Sequence, residues 1–186
     1  MGVIALERKT NIEKTLFFSF IISVILGTLL HFAFEYSGRN TVIGAFTPVN
    51  ESIWEHLKLI LIPSITVGFF EYFSFGKEYK GYFGARGFAT LIGILFLLTG
   101  YYTYSGIVGT DYFIADIILF ILATGLTSIL TFVFITKLNL GERSSIIGIM
   151  IITVLVLLFM YFTFDPPMLE LFRDPLSEDF GIQDLT

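Results

Sequence analysis

The chain has 186 residues, of which 55% are hydrophobic and 15% charged, and its mean hydropathy is +0.82. A composition this apolar excludes a water-soluble domain and is typical of an integral membrane protein. The net charge of −5 argues against nucleic acid as a partner, and the absence of cysteine excludes disulfides and thiolate chemistry.

Five apolar segments are long enough to span a membrane, since a helix needs about 20 residues to cross a hydrocarbon core of about 30 Å. Turn or charge signals separate them at "SGRN", "FGKEYKG", "YSGIVGTD" and "LNLGER". The predicted helices are residues 16–36, 50–75, 82–104, 112–138 and 145–164. The sequence therefore predicts an all-α, polytopic protein of the cell membrane, a bundle of five transmembrane helices.

Lysine and arginine are unevenly divided between the two ends of these helices. Eight lie in the amino-terminal segment and in or next to the loops after the second and fourth helices: Arg8, Lys9, Lys14, Lys77, Lys80, Arg86, Lys137 and Arg143. The other side carries Arg39, Arg173 and, at a helix start, Lys58. Because cytoplasmic loops carry the excess of positive charge, the amino terminus is predicted to be cytoplasmic and the carboxy terminus outside.

This topology divides the chain into two predicted parts. Residues 1–164 form the transmembrane domain, and residues 165–186 form an acidic extracytoplasmic tail. Several apolar residues in the tail could fold it back as a lid over the outer ends of the helices.

Ionisable residues gather at those outer ends. They are His31, Glu35, Glu51, Glu55, His56, Lys58, Asp111, Asp116 and Asp165. A rise of about 1.5 Å per residue places four of them roughly 6–9 Å below the outer boundary. Those four are His31, Glu55, His56 and Asp116. Glu71, near the inner end of the second helix, is expected to be interfacial.

The first helix indicates which way its polar residues face. Small and polar residues recur at every fourth position, on one face: Ser19, Ser23, Gly27, His31 and Glu35. Such a face packs against other helices, because lipid favours large apolar side chains. His31 and Glu35 are therefore expected to point into the bundle.

A charge inside a bilayer costs at least about 2.5–3.5 kcal/mol at the centre, so this layer requires pairing, a cavity or a bound ion. The first interpretation is a divalent metal site, with zinc as a candidate. Its expected ligands are His31, Glu35, His56 and Asp116. If the metal activates water against a lipid-like ester or amide, Glu51 or Glu55 would be the general base. No HExxH or HxxxH motif is present, and whether the chain is an enzyme stays open.

Two other interpretations remain. One is a non-enzymatic binder or transporter component for a cation or a small polar ligand, such as a lipid headgroup. The residues expected to contact it are Asn50, Lys58, Tyr101, Tyr102, Asp111 and Asp165. The other is a structural network, in which Lys58 pairs with Glu51 or Glu55. Homo-oligomers stay open as well, because small residues at every fourth position also suit contacts between copies.

The stretches "VNESIWEHLKL" and "FDPPMLELFRDP" resemble recurring signatures of an uncharacterised family of small polytopic prokaryotic membrane proteins, over nearly the whole chain. This resemblance implies the membrane class but no activity. The residues it emphasises are Asn50, Glu51, Trp54, Glu55, His56, Asp165, Pro166 and Pro167. A more distant analogy is with intramembrane zinc hydrolases of the ceramidase and adiponectin-receptor type. Those use three histidines, whereas this chain has two, so no residue is carried over.

Overall fold

The structure, a computed structural model, describes residues 2–138 and 140–182, and the side chains from residue 11 onward. Within these ranges the protein is all-α. The α-helices are α1 (Gly2–Tyr36), α2 (Thr41–Gly44), α3 (Ile53–His56), α4 (Lys58–Ser74), α5 (Tyr82–Val108), α6 (Phe113–Thr136) and α7 (Glu142–Phe164). Two short 3-10 turns are Gly76–Glu78 and Glu170–Phe172.

Five helical stretches are long and apolar enough to cross a membrane. They are Asn11–Tyr36 within α1, Ile53–Ser74 across α3 and α4, and the whole of α5, α6 and α7. The predicted five-helix membrane architecture is therefore confirmed at the level of length and composition, and it indicates a multi-pass membrane protein. The orientation of the termini stays a prediction.

Glycines allow the helices to approach closely where the bundle is tightest. A Cβ on Gly148 of α7 would lie 2.0 Å from the carbonyl oxygen of Phe83 in α5. A Cβ on Gly27 of α1 would lie 2.9 Å from the carbonyl oxygen of Leu59 in α4. The second approach lies one helical turn before His31, so it brings that histidine next to the start of the α3–α4 stretch.

The second spanning stretch begins later than predicted, because residues 45–52 form a loop (loop 45–52). The Asn50 side-chain carbonyl accepts a hydrogen bond from the backbone N–H of Ser52 at 3.0 Å. Ser52 in turn caps α3, its hydroxyl accepting from the Glu55 N–H at 3.4 Å. Asparagine and serine that bond to the local backbone in this way favour a turn and a cap over helix interior.

Glu71 is buried, which corrects the expectation that it is interfacial. Its side chain is 1% exposed, accepts a hydrogen bond from the Tyr82 hydroxyl at 2.8 Å and lies 3.5 Å from Nη1 of Arg86. Pairing with a guanidinium stabilises a carboxylate that is otherwise costly to bury. The carboxyl-terminal part of α4 and the start of α5 thus share a buried polar network.

The described part of the carboxy-terminal tail, residues 165–182, packs back onto the helix ends. The Ile182 N–H donates to the Thr163 carbonyl at 2.9 Å, and the Asn50 side-chain amide donates to the Gly181 carbonyl at 3.0 Å. The Phe172 ring lies against Trp54, with the centroids 4.7 Å apart. The tail is therefore tied to α7, to loop 45–52 and to α3.

Candidate metal site

Three side chains from separate segments converge at one end of the bundle. His31 comes from α1, Glu51 from loop 45–52 and His56 from the end of α3. The two Nε2 atoms lie 3.8 Å (His31) and 3.3 Å (His56) from the Glu51 carboxylate oxygens. One ligand atom from each residue lies within 4.8 Å of the others, a spacing that could hold a metal ion. Two imidazoles and a carboxylate are a donor set that divalent zinc and iron accept.

The hydrogen bonding of His56 defines which ring nitrogen faces Glu51. Its Nδ1 lies 2.9 Å from the Ser52 carbonyl oxygen, which can only accept, so Nδ1 carries a proton. In the neutral ring, Nε2 then presents a lone pair toward the negatively charged Glu51 oxygen. That arrangement is repulsive unless a second proton or a cation lies between the two groups. A backbone carbonyl that fixes the remote nitrogen is also the usual arrangement around metal-binding histidines.

Glu51 is half-buried between the two rings, and its pKa is lowered. The hydrogen bond that a protonated His56 donates is the main cause, the positive charge of either imidazole when protonated adds to it, and burial opposes it. The carboxyl group is therefore ionised at neutral pH and available as an anionic ligand.

A cavity of about 210 Å³ adjoins this cluster. Its walls come from α1, from loop 45–52 and from the tail, and His31 and Glu51 face it. The other charged residues in its lining are Glu35, Arg39, Asp174 and Asp179. Carboxylates thus outnumber the single guanidinium, so the cavity suits a cation.

Glu55 lies outside this cluster, although the sequence places it beside His56. It is 1% exposed, and its Oε2 lies 2.6 Å from Nζ of Lys58. The same oxygen accepts from the Val49 N–H at 3.1 Å, and Oε1 accepts from the Thr163 hydroxyl at 3.0 Å. With both oxygens engaged in the interior, Glu55 does not have the access that its predicted role as general base requires.

Lys58 is the partner of this buried carboxylate. Its ammonium group lies 2.6 Å from the Thr163 hydroxyl and also donates to the Gly44 and Thr47 carbonyls, at 3.0 and 3.1 Å. With 1% exposure, Lys58 is removed from the cavity. Of the two pairings that the sequence left open, the structure shows Lys58 with Glu55, and Glu51 stays with the histidines.

The other two predicted metal ligands are held elsewhere. The Glu35 side chain is 69% exposed, and its Oε1 lies 3.6 Å from Nε of Arg39, at the cavity wall. Asp116, in the first turn of α6, accepts a hydrogen bond from the Tyr104 hydroxyl of α5. Neither belongs to the group of mutually close ligand atoms found in the described residues.

The predicted ligand contacts are also dispersed. Asn50 lines the cavity, but its amide bonds to the tail. The Tyr101 and Tyr102 rings contact each other at 5.4 Å, and Asp165 accepts from the Tyr161 hydroxyl at 2.8 Å. Those three, together with exposed Asp111, lie outside the cavity lining.

Thr163 is the residue that the sequence analysis missed. It is 0% exposed and contacts both members of the Lys58–Glu55 pair. The available signal was a hydroxyl near the carboxyl end of a mostly apolar helix, at the same level as the charged layer. Threonine also occurs in such helices with its hydroxyl bonded to the preceding turn, so the signal alone is weak.

The family model described as "Family of unknown function (DUF6512)" matches residues 4–182. The chain belongs to this family. Membership in DUF6512 agrees with the resemblance to an uncharacterised family, while the two signature stretches stay a prediction. No curated protein and no solved structure matches the chain.

Proposed function

We propose that His31, Glu51 and His56 bind a divalent metal ion, with zinc as the first candidate. The observation that carries this proposal is the hydrogen bond from Nδ1 of His56 to the Ser52 carbonyl, which directs Nε2 at the Glu51 carboxylate. A metal ion between these atoms satisfies both lone pairs at once. It also compensates the charge of Glu51, which Lys58 does not reach because Lys58 is paired with Glu55.

Three protein ligands leave one tetrahedral position for water or substrate, as in catalytic zinc sites. A metal in such a site lowers the pKa of bound water to about 7 and could support hydrolysis of a lipid-like ester or amide. In this arrangement Glu51 binds the metal and Glu55 is paired with Lys58, so neither of the two predicted general bases is free for that role. Under the predicted topology, the site lies in the outer half of the bilayer, where lipid headgroups have access.

A second candidate is a non-enzymatic binder or transporter component for a cation or small polar ligand. The carboxylates of Glu35, Asp174 and Asp179 in the cavity wall favour it. Metal binding by the cluster is common to both candidates. They differ in turnover, which a hydrolase shows toward lipid esters or amides in reconstituted vesicles and a binder does not.

Elemental analysis of the purified protein tests the proposal. We expect about one zinc per chain in the wild type after incubation with zinc and dialysis, and loss of zinc in both His31→Ala and His56→Ala. Asp111→Asn is the matched control, since Asp111 is exposed and outside the cavity. A wild-type protein that takes up no metal when zinc is supplied overturns the proposal.

A further inference from the structure

Loop 45–52 carries Glu51 and lies outside the helices. Without regular backbone pairing, such a segment samples many conformations unless other groups fix it. A metal ligand on the loop must nevertheless keep its position, because affinity depends on ligands that are arranged before the ion arrives. What holds this loop is therefore part of the site.

The buried Lys58–Glu55 ion pair binds the backbone of loop 45–52. The Lys58 ammonium binds the carbonyl of Gly44, just before the loop, and the carbonyl of Thr47 within it. The Glu55 carboxylate accepts the Val49 N–H, two residues before Glu51. The positively charged ammonium donates to backbone carbonyls, and the negatively charged carboxylate accepts from a backbone N–H. Such charge-assisted hydrogen bonds are stronger than neutral ones.

Thr163 connects this pair to α7. Its hydroxyl accepts a hydrogen bond from the Lys58 ammonium at 2.6 Å. Its single proton has two acceptors within reach, Glu55 Oε1 at 3.0 Å and the Phe159 carbonyl of α7 at 2.8 Å, so the hydroxyl contacts both charged groups and the helix backbone. The Thr163 carbonyl also accepts the Ile182 N–H of the tail, which lies next to the Gly181 carbonyl bound by Asn50. The helix end, the ion pair and the tail thus converge on the residues that flank Glu51.

The loop transmits this constraint to two ligands. The Asn50 side-chain carbonyl accepts a hydrogen bond from the Ser52 N–H across Glu51, and the Ser52 backbone carbonyl accepts one from Nδ1 of His56. A shift of Ser52 therefore moves Glu51 and rotates His56 together. Lys58, Glu55 and Thr163 lie outside the cavity lining, so they act on the site through the loop and through the α3 backbone that carries His56.

We propose that Lys58, Glu55 and Thr163 are a positioning triad for the metal ligands Glu51 and His56. This inference rests on the proposed metal site and assigns no contact with the metal to the triad. It predicts that loss of the Thr163 hydroxyl alone weakens metal binding, with all three ligands unchanged.

The test compares Thr163→Val, which keeps the shape and removes the hydroxyl, with Thr163→Ser, which keeps the hydroxyl. We expect Thr163→Val to bind Co²⁺ about 10-fold more weakly, because loss of a group that orients metal ligands has an effect of this order. Its visible spectrum should also change, since that spectrum reports ligand geometry. Thr163→Ser should restore both to near the wild type. Thr103→Val is the control, because the Thr103 hydroxyl bonds only to the Thr99 carbonyl within α5. If Thr163→Val binds Co²⁺ with the affinity and the spectrum of the wild type, the positioning role of the triad is overturned.

A measurement without metal separates this inference from the metal site itself. In metal-free protein we expect the backbone amides of Thr47 and of residues 49–52 to exchange with deuterium faster in Thr163→Val than in the wild type or Thr163→Ser. Unchanged exchange in these residues overturns the triad even if the site binds metal. If the wild type binds no metal but exchange accelerates as expected, the proposed function fails and the constraint on the loop stands.

Discussion

Lys58 Nζ lies 2.6 Å from Glu55 Oε2 in the interior. Glu51, only four residues earlier, takes no part in this contact, so the two carboxylates have different environments. Glu55 is paired with the buried Lys58 ammonium. Glu51 receives two imidazoles and faces a cavity. The charged stretch at the start of the second spanning segment thus contains a structural ion pair and a candidate ligand set, rather than one cluster.

Replacing Lys58 should lower the free energy of unfolding, because Glu55 then remains buried without a partner. Lys58→Met leaves the Glu55 charge buried without its cation, and we expect about 3–5 kcal/mol less stability toward unfolding. The double variant Lys58→Met/Glu55→Gln removes both charges and should recover much of that loss. Denaturant unfolding in detergent measures both. Equal stability of the single and the double variant contradicts the buried pair.

The pH dependence of stability should report Glu51. Its pKa is lowered from the ordinary value of 4.5, so the unfolded state binds more protons as the pH falls toward and below that value. The stability that Glu51 contributes is therefore fully present above pH 4.5 and is lost on acidification through its lower folded pKa. In metal-free protein, Glu51→Gln should make the free energy of unfolding less dependent on pH in that window. If the free energy of unfolding depends on pH in the same way in the wild type and in Glu51→Gln, the assignment of this dependence to Glu51 is contradicted.

The tail contact can be followed through the single tryptophan. Trp54 lies against Phe172 of the tail, whose side chain is buried. Phe172→Ala should shift Trp54 emission to longer wavelength and speed proteolysis of the tail, because water reaches the indole. Leu169→Ala is the control, since Leu169 is 59% exposed. Unchanged emission in Phe172→Ala means that the tail does not pack on Trp54.

Helix packing gives a further prediction at Gly148. An added methyl would meet the α5 backbone at 2.0 Å, so Gly148→Ala should lower the free energy of unfolding by about 1–3 kcal/mol. Gly106→Ala is the control, because nothing lies within 4 Å of its Cβ position and alanine favours helix over glycine. A stable Gly148→Ala protein argues against the close α5–α7 contact.

The sequence was sufficient for the spanning helices and for part of the site. Apolar length alone predicts the five spans, and the small-residue face of α1 correctly predicts that Ser19 and Ser23 are buried. The expectation that this face also points Glu35 into the bundle is wrong, because the Glu35 side chain is 69% exposed.

The pairing within the site could not be predicted from sequence. Helical geometry from residue 50 places Glu51, Glu55 and Lys58 on one face, whereas the turn at Asn50 and Ser52 moves Glu51 off the helix. That turn decides which carboxylate meets Lys58. Likewise, the partner of Glu71 is Arg86 on the next helix. The repeat of about 3.6 residues within one helix cannot predict a pair formed between two helices.

A zinc titration of two glutamate variants tests the central claim most directly. Glu51→Gln and Glu35→Gln make the same chemical change at two carboxylates that both line the cavity. We predict that Glu35→Gln binds about one zinc per chain like the wild type, and that Glu51→Gln loses it. Zinc retained by Glu51→Gln, or lost only from Glu35→Gln, contradicts a site built from His31, Glu51 and His56.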